Sequence, residues 1–91
     1  MMTKRVNSSI TFEKDIERLT RRNKDMEKLK SIVRSLVRGE KLDKIYQEHK
    51  LTGDYYGSRE CHIESDWLLI YKYDKETLFL TRTGTYADLF R

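Results

Sequence analysis

The 91-residue chain carries 19 Lys and Arg against 15 Asp and Glu, a net charge of +4 and a sequence pI near 9.2. That length holds one domain, residues 1–91, with one modest core, and leaves no room for a regulatory module. One cysteine excludes an internal disulfide, no Cys/His spacing resembles a zinc site, and no apolar run is long enough for a membrane span or a signal peptide, so the expected setting is the cytoplasm.

The basic charge is unevenly placed. Residues 1–44 hold 13 Lys and Arg against 7 Asp and Glu, whereas residues 45–91 hold 6 against 8. The basic half either holds phosphates or simply solvates two helices, and the chemistry-bearing side chains lie in the other half.

In chain order, residues 3–8 alternate enough for a strand, and Ser9 and Thr11 offer hydroxyls to cap a helix. That helix is predicted over 12–22, where Phe12, Ile16 and Leu19 form one apolar stripe. Residues 23–25 break it. A second helix is predicted over 25–38, with Met26, Leu29, Val33, Leu36 and Val37 as its stripe and Gly39 at the C′ position. Two such stripes need a sheet to cover them.

Residues 40–54 read as a polar connection that brings His49 to the edge of that sheet. Strands are predicted over 55–64, 67–73 and 77–83. Only Ser65-Asp66 and Asp74-Lys75-Glu76 separate them, so they are antiparallel neighbours. The apolar run Trp67-Leu68-Leu69-Ile70-Tyr71 marks a central strand covered in part on both faces. Residues 86–90 make a short turn of helix or an extended tail. The fold class is α+β: an N-terminal strand and a two-helix hairpin on an antiparallel sheet of three to four strands, its opposite face open as a binding surface.

The stretch Gly57-x-Arg59-Glu60-Cys61-His62-Ile63-Glu64-x-Asp66-Trp67-Leu68-Leu69-Ile70-Tyr71 concentrates ionisable groups, and Arg82-Thr83-Gly84-Thr85-x-x-Asp88-Leu89-Phe90 adds more. Together with His49-x-Leu51-x-Gly53, these motifs resemble the YafQ branch of the RelE/ParE toxin superfamily. The resemblance covers nearly the whole chain, and in the helical half it includes Lys24-Asp25-Met26-x-Lys28-Leu29.

It implies a toxin of a type II toxin–antitoxin pair: a ribosome-dependent endoribonuclease that cuts messenger RNA in the A site of the 70S ribosome without metal or other cofactor. A base takes the 2′-hydroxyl proton, the oxygen attacks phosphorus, and an acid protonates the leaving 5′-oxygen. The implied partner is a cognate antitoxin in a hetero-oligomeric complex. Two other functions stay open on residues alone: a ParE-like protein that poisons DNA gyrase, and a non-catalytic RNA- or protein-binding module.

By the resemblance, His49 and His62 are site histidines, of a residue type that titrates near cellular pH. Asp66, by itself an ordinary turn residue, becomes a site carboxylate that orients a histidine or activates the hydroxyl. Glu60 is either catalytic or a surface partner of Arg59. Arg59 and Arg82 are the candidates for the charged phosphorane, unless they pair across strands with Glu60 or Glu64. Phe90 positions substrate by stacking or packing. Trp67 reads as core, and Cys61 as a small buried residue without chemistry.

Tyr86 stands where the branch usually has histidine. An ordinary phenol titrates near 10 and is a weak base at neutral pH unless cations lower it. The expectation is that Tyr86 takes the catalytic position, with Arg82 or Arg91 favouring its phenolate and a histidine supplying the second proton role.

Overall fold

The computed structural model describes residues 4–90. Its elements run β1 (Arg5–Ser8), α1 (Ile10–Arg21), α2 (Met26–Val37), β2 (His49–Lys50), β3 (Arg59–Glu64), β4 (Trp67–Tyr73), β5 (Thr77–Gly84) and α3 (Tyr86–Phe90). Short 3-10 turns at Lys44–Tyr46 and Gly53–Tyr55 flank β2.

The helix boundaries follow from their caps. Ser9 accepts the Phe12 N–H at 2.9 Å and opens α1 two residues before the predicted start. Asp25 does the same for α2 by accepting the Glu27 N–H at 3.1 Å, and Gly39, with φ of 74°, takes the left-handed position past its end.

The sheet has five strands in the order β1-β5-β4-β3-β2 and is mixed, which corrects the expectation of three to four antiparallel strands. β1 lies parallel to β5, from Arg5 opposite Thr77 to Ser8 opposite Leu80, because α1, α2 and the later strands intervene before the chain returns beside it. β2 is two residues long, too short for any periodicity to announce it. β3 starts four residues later than predicted, since residues 53–55 form a 3-10 turn and Gly57 turns the chain with φ of 92°.

The main core lies between the helices and one face of the sheet. Phe12, Leu19, Leu29, Ile32 and Leu36 pack on Cys61, Ile63, Trp67, Leu69, Tyr71, Leu78 and Leu80. Ile32 is buried where Val33 was expected, and Val33 lies at the margin. Trp67 is fully enclosed, its indole N–H donating to Thr83 Oγ1 at 3.0 Å, so it is core and offers no stacking face.

The opposite face is only partly open. Leu68, Ile70 and Leu89 form a second cluster with Leu51 and Tyr55, so α3 and the 53–55 turn cover one end of it. This is why β4 is apolar on both faces. The uncovered part is where β2 and β3 carry their polar side chains.

Candidate active site

Alternation along β3 sends Glu60 and His62 to the face away from the helices, and Cys61 and Ile63 into the main core. β2 pairs His49 directly opposite Glu60. The result is a carboxylate between two imidazoles: Glu60 Oε1 lies 3.3 Å from His49 Nε2 and 3.7 Å from His62 Nε2, with the ring centroids 6.4 Å apart. Glu60 is buried at 7% exposure, so its link to these rings is not the surface ion pair with Arg59 weighed above.

Each ring is also held from behind. His49 Nδ1 meets the Gln47 carbonyl at 2.9 Å and His62 Nδ1 meets the Ser65 carbonyl at 3.4 Å. A carbonyl only accepts, so Nδ1 is the donor in both, and Nε2 is the nitrogen turned towards Glu60. A proton arriving at either Nε2 is then held by the carboxylate.

α3 presents the aromatic members. Tyr86 and Phe90 stack with centroids 5.0 Å apart, and Tyr55 meets Phe90 edge-on at 5.8 Å. Tyr86 stays 61% exposed, open to a ligand. Asp66 is not turned to a histidine: its Oδ1 accepts the backbone N–H of Tyr86 at 3.1 Å and fixes the start of α3. Arg91 lies outside the described residues.

The two arginines part company. Arg59 pairs in register with Tyr71 on the helix-facing side, where its Nε lies 3.3 Å from Glu48 Oε2 without an aligned hydrogen bond, and Glu48 also accepts from the Tyr71 hydroxyl. Arg82 reaches the other face because of a β-bulge. Tyr71 pairs with Leu80 and Ile70 with Arg82, which leaves Thr81 without a partner and reverses the alternation.

Arg82 is bound by Asp15 of α1 through Nε at 2.8 Å and Nη2 at 3.1 Å, and those bonds raise its pKa further, with Tyr55 adding to the effect. Neither arginine pairs with Glu64. That carboxyl is drawn down to about 2 by hydrogen bonds from Lys24 and Lys28 of α2. Burial pushes the Cys61 thiol up to about 12, so it stays a protonated core residue at neutral pH.

Residues 4–91 match the model of the bacterial toxin of type II toxin–antitoxin systems, YafQ. The mRNA interferase toxin YafQ of Escherichia coli K12 is 38% identical over 91 residues, covering 99% of both chains. This chain belongs to the YafQ toxin family. The crystal structure of YafQ from E. coli strain BL21(DE3) superposes with a TM-score of 0.92, at 38% identity over 97% of this chain and 99% of that one. The toxin in the E. coli DinJ–YafQ toxin–antitoxin complex gives 0.91, at 37% identity over 99% of this chain and 100% of that one.

Among the described residues of this YafQ-family chain, no group of three or more His, Cys, Asp or Glu has the geometry of a metal site. Glu60 itself fills the gap between the two imidazoles. Among the described residues, no helix is long and apolar enough to cross a membrane. Sequence reasoning missed Asp15, Tyr55, Glu48 and the Arg22–Asp88 pair. Asp15 left a signal: it falls between Phe12 and Leu19 on the buried stripe of α1, a carboxylate where an apolar residue belongs.

Proposed function

We propose that this chain is an mRNA interferase toxin of a bacterial cytoplasm, acting on the message in the A site of the 70S ribosome and restrained by a cognate antitoxin. The observation that carries this reading is the buried Glu60 carboxylate between His49 and His62, on the sheet face where Arg82 also lies, since Ile70 pairs with Glu60 on one side and Arg82 on the other.

RNA cleavage by its own 2′-hydroxyl needs one group to take a proton and one to give it. The His49–Glu60–His62 cluster supplies the base: it takes up the 2′-hydroxyl proton, and the Glu60 carboxylate offsets the positive charge of the imidazolium that results. The 2′-oxygen bonds to phosphorus, and charge builds on the non-bridging oxygens beside Arg82. The phosphorus–5′-oxygen bond then breaks, and the Tyr86 hydroxyl protonates the leaving oxygen. The products are a 2′,3′-cyclic phosphate and a 5′-hydroxyl, and no step passes through a metal. Phe90, stacked on Tyr86, positions a base of the message, and Asp66 supports the geometry through the Tyr86 backbone.

E. coli YafQ has been crystallised with the antitoxin DinJ. For this chain the equivalent partner is an antitoxin with an acidic or amphipathic segment, complementary to the basic helices.

Primer extension on a translated message tests the reading, using the parent chain and the His62→Ala and Tyr86→Phe variants. The parent is expected to cut within codons in the A site, and both variants to cut at least tenfold more slowly, as loss of a proton-transfer group implies about 10²–10⁴-fold. Equal rates for Tyr86→Phe remove Tyr86 from the chemistry. Equal cleavage of naked RNA removes the ribosome from it.

A further inference from the structure

Asp15 is a fully buried carboxylate that no proton transfer above requires. An unpaired carboxylate in that place would be strongly destabilising. Four donors close around it instead. Oδ2 accepts from Arg82 Nε at 2.8 Å and from the Thr83 backbone N–H at 3.1 Å, while Oδ1 accepts from Arg82 Nη2 and Arg18 Nη1, both at 3.1 Å. The Thr83 N–H is free for this because the pairing of β1 with β5 ends at Leu80.

Two consequences follow for Arg82. Its guanidinium is gripped along one edge by two parallel bonds, which fixes the plane of the group. Its other N–H bonds are not taken by Asp15, and the Tyr55 side chain, which meets Phe90 edge-on, is the further neighbour of the group. The charge is arranged as well. A one-to-one pair of Asp15 with Arg82 would be neutral and a poor magnet for phosphate. Arg18 shares the same carboxylate, so the three groups together keep one positive charge.

We propose that Asp15 is a positioning residue for RNA cleavage: it sets the plane of the Arg82 guanidinium against the scissile phosphate, and Arg18 restores the charge that the pair alone would cancel. This rests on the assignment of Arg82 to the phosphate under the proposed function. The bulge at Thr81 turns Arg82 towards this face, and Asp15 holds it there.

The test is a double-mutant cycle of Asp15→Asn and Arg82→Ala, read as single-turnover cleavage of message on programmed ribosomes over a range of toxin concentration. Asp15→Asn keeps the shape and removes the charge. It is expected to lower the maximal rate by about 10- to 100-fold with the half-saturating concentration unchanged, the effect of a misplaced group. In the Arg82→Ala background it is expected to add nothing. A purely structural role would slow that background again, and would overturn the proposal.

If Arg82→Ala is slow and Asp15→Asn is as fast as the parent, Asp15 is excluded and the role of Arg82 stands. If Arg82→Ala is itself as fast as the parent, the proposed role of Arg82 fails first. A measurement on the unmutated chain covers a variant that does not fold. The Arg82 Nε–H is expected to exchange with solvent at least tenfold more slowly than that of free arginine, and exchange at the free rate overturns the proposal.

Discussion

Arg22 and Asp88, 66 positions apart, meet in a two-point ion pair, Nη1 to Oδ2 at 2.8 Å and Nη2 to Oδ1 at 3.2 Å. Asp88 also accepts the Thr85 N–H at 3.0 Å and returns its own N–H to Thr85 Oγ1 at 3.1 Å. A five-residue helix has no stability of its own, so α3, which presents Tyr86 and Phe90, is held by α1 through this clamp.

Loosening the clamp is expected to cost activity before it costs the fold. Asp88→Asn should speed amide exchange across residues 86–90 by roughly tenfold or more, leave β4 protected, and slow message cleavage in parallel. Gly84→Ala reaches the same end by another route, since its new Cβ would lie 2.9 Å from Asp88 Oδ2 and push that side chain aside. The two together should slow cleavage little more than either alone, because both act through one contact. Unchanged exchange in residues 86–90 would mean that α3 is held by the Leu89 cluster and not by the clamp.

The contrast between Arg82 and Leu69 shows what the sequence could carry. Leu69 lies in a run of apolar residues whose period and length name a central strand, and it is fully buried as expected. Arg82 faces the site only because Thr81 is an extra residue in β5, and no local pattern marks a bulge that exists through its pairing with β4. The same holds for β1, whose place beside β5 is fixed by parallel pairing across more than sixty intervening residues. His49, His62 and Glu60 were legible as site candidates through their motif. Their meeting was not, because it depends on the two-residue strand β2.

Acid should weaken the molecule in a defined window. Hydrogen bonds from Lys24 and Lys28 lower the Glu64 carboxyl from 4.5 to about 2, and the Arg22 guanidinium holds Asp88 well below the usual carboxylate range. A folded pKa below the unfolded one contributes stability that is complete above the unfolded value and is lost as pH falls through the folded one. The denaturation midpoint is therefore expected to be flat from pH 5 to 7 and to fall between about pH 4.5 and 2. Glu64→Gln should lower the midpoint slightly at pH 6 and flatten the acid limb. The effect is small because Lys28 is half exposed and solvent screens the pair. An acid limb equally steep in Glu64→Gln would assign the loss to other carboxylates.

Arg59 offers the sharpest separation of structure from chemistry. The sequence motif pairs it with Arg82 as a phosphate ligand, yet neighbours along a strand face opposite ways, and Arg59 lies beside Glu48 and Tyr71 while Glu60 faces the histidines. Arg59→Ala strips Glu48 of its cation and leaves it partly buried with the Tyr71 hydroxyl alone. A loss of about 1–3 kcal/mol in denaturant unfolding is expected for a polar group so stranded. Cleavage by the folded variant, measured well below its midpoint, should stay within about threefold of the parent, since a residue outside the site changes the stability and not the barrier. A rate about 100-fold lower, the size of effect seen when a charge-stabilising donor is removed, would instead mean that Arg59 leaves Glu48 and swings to the phosphate when RNA binds.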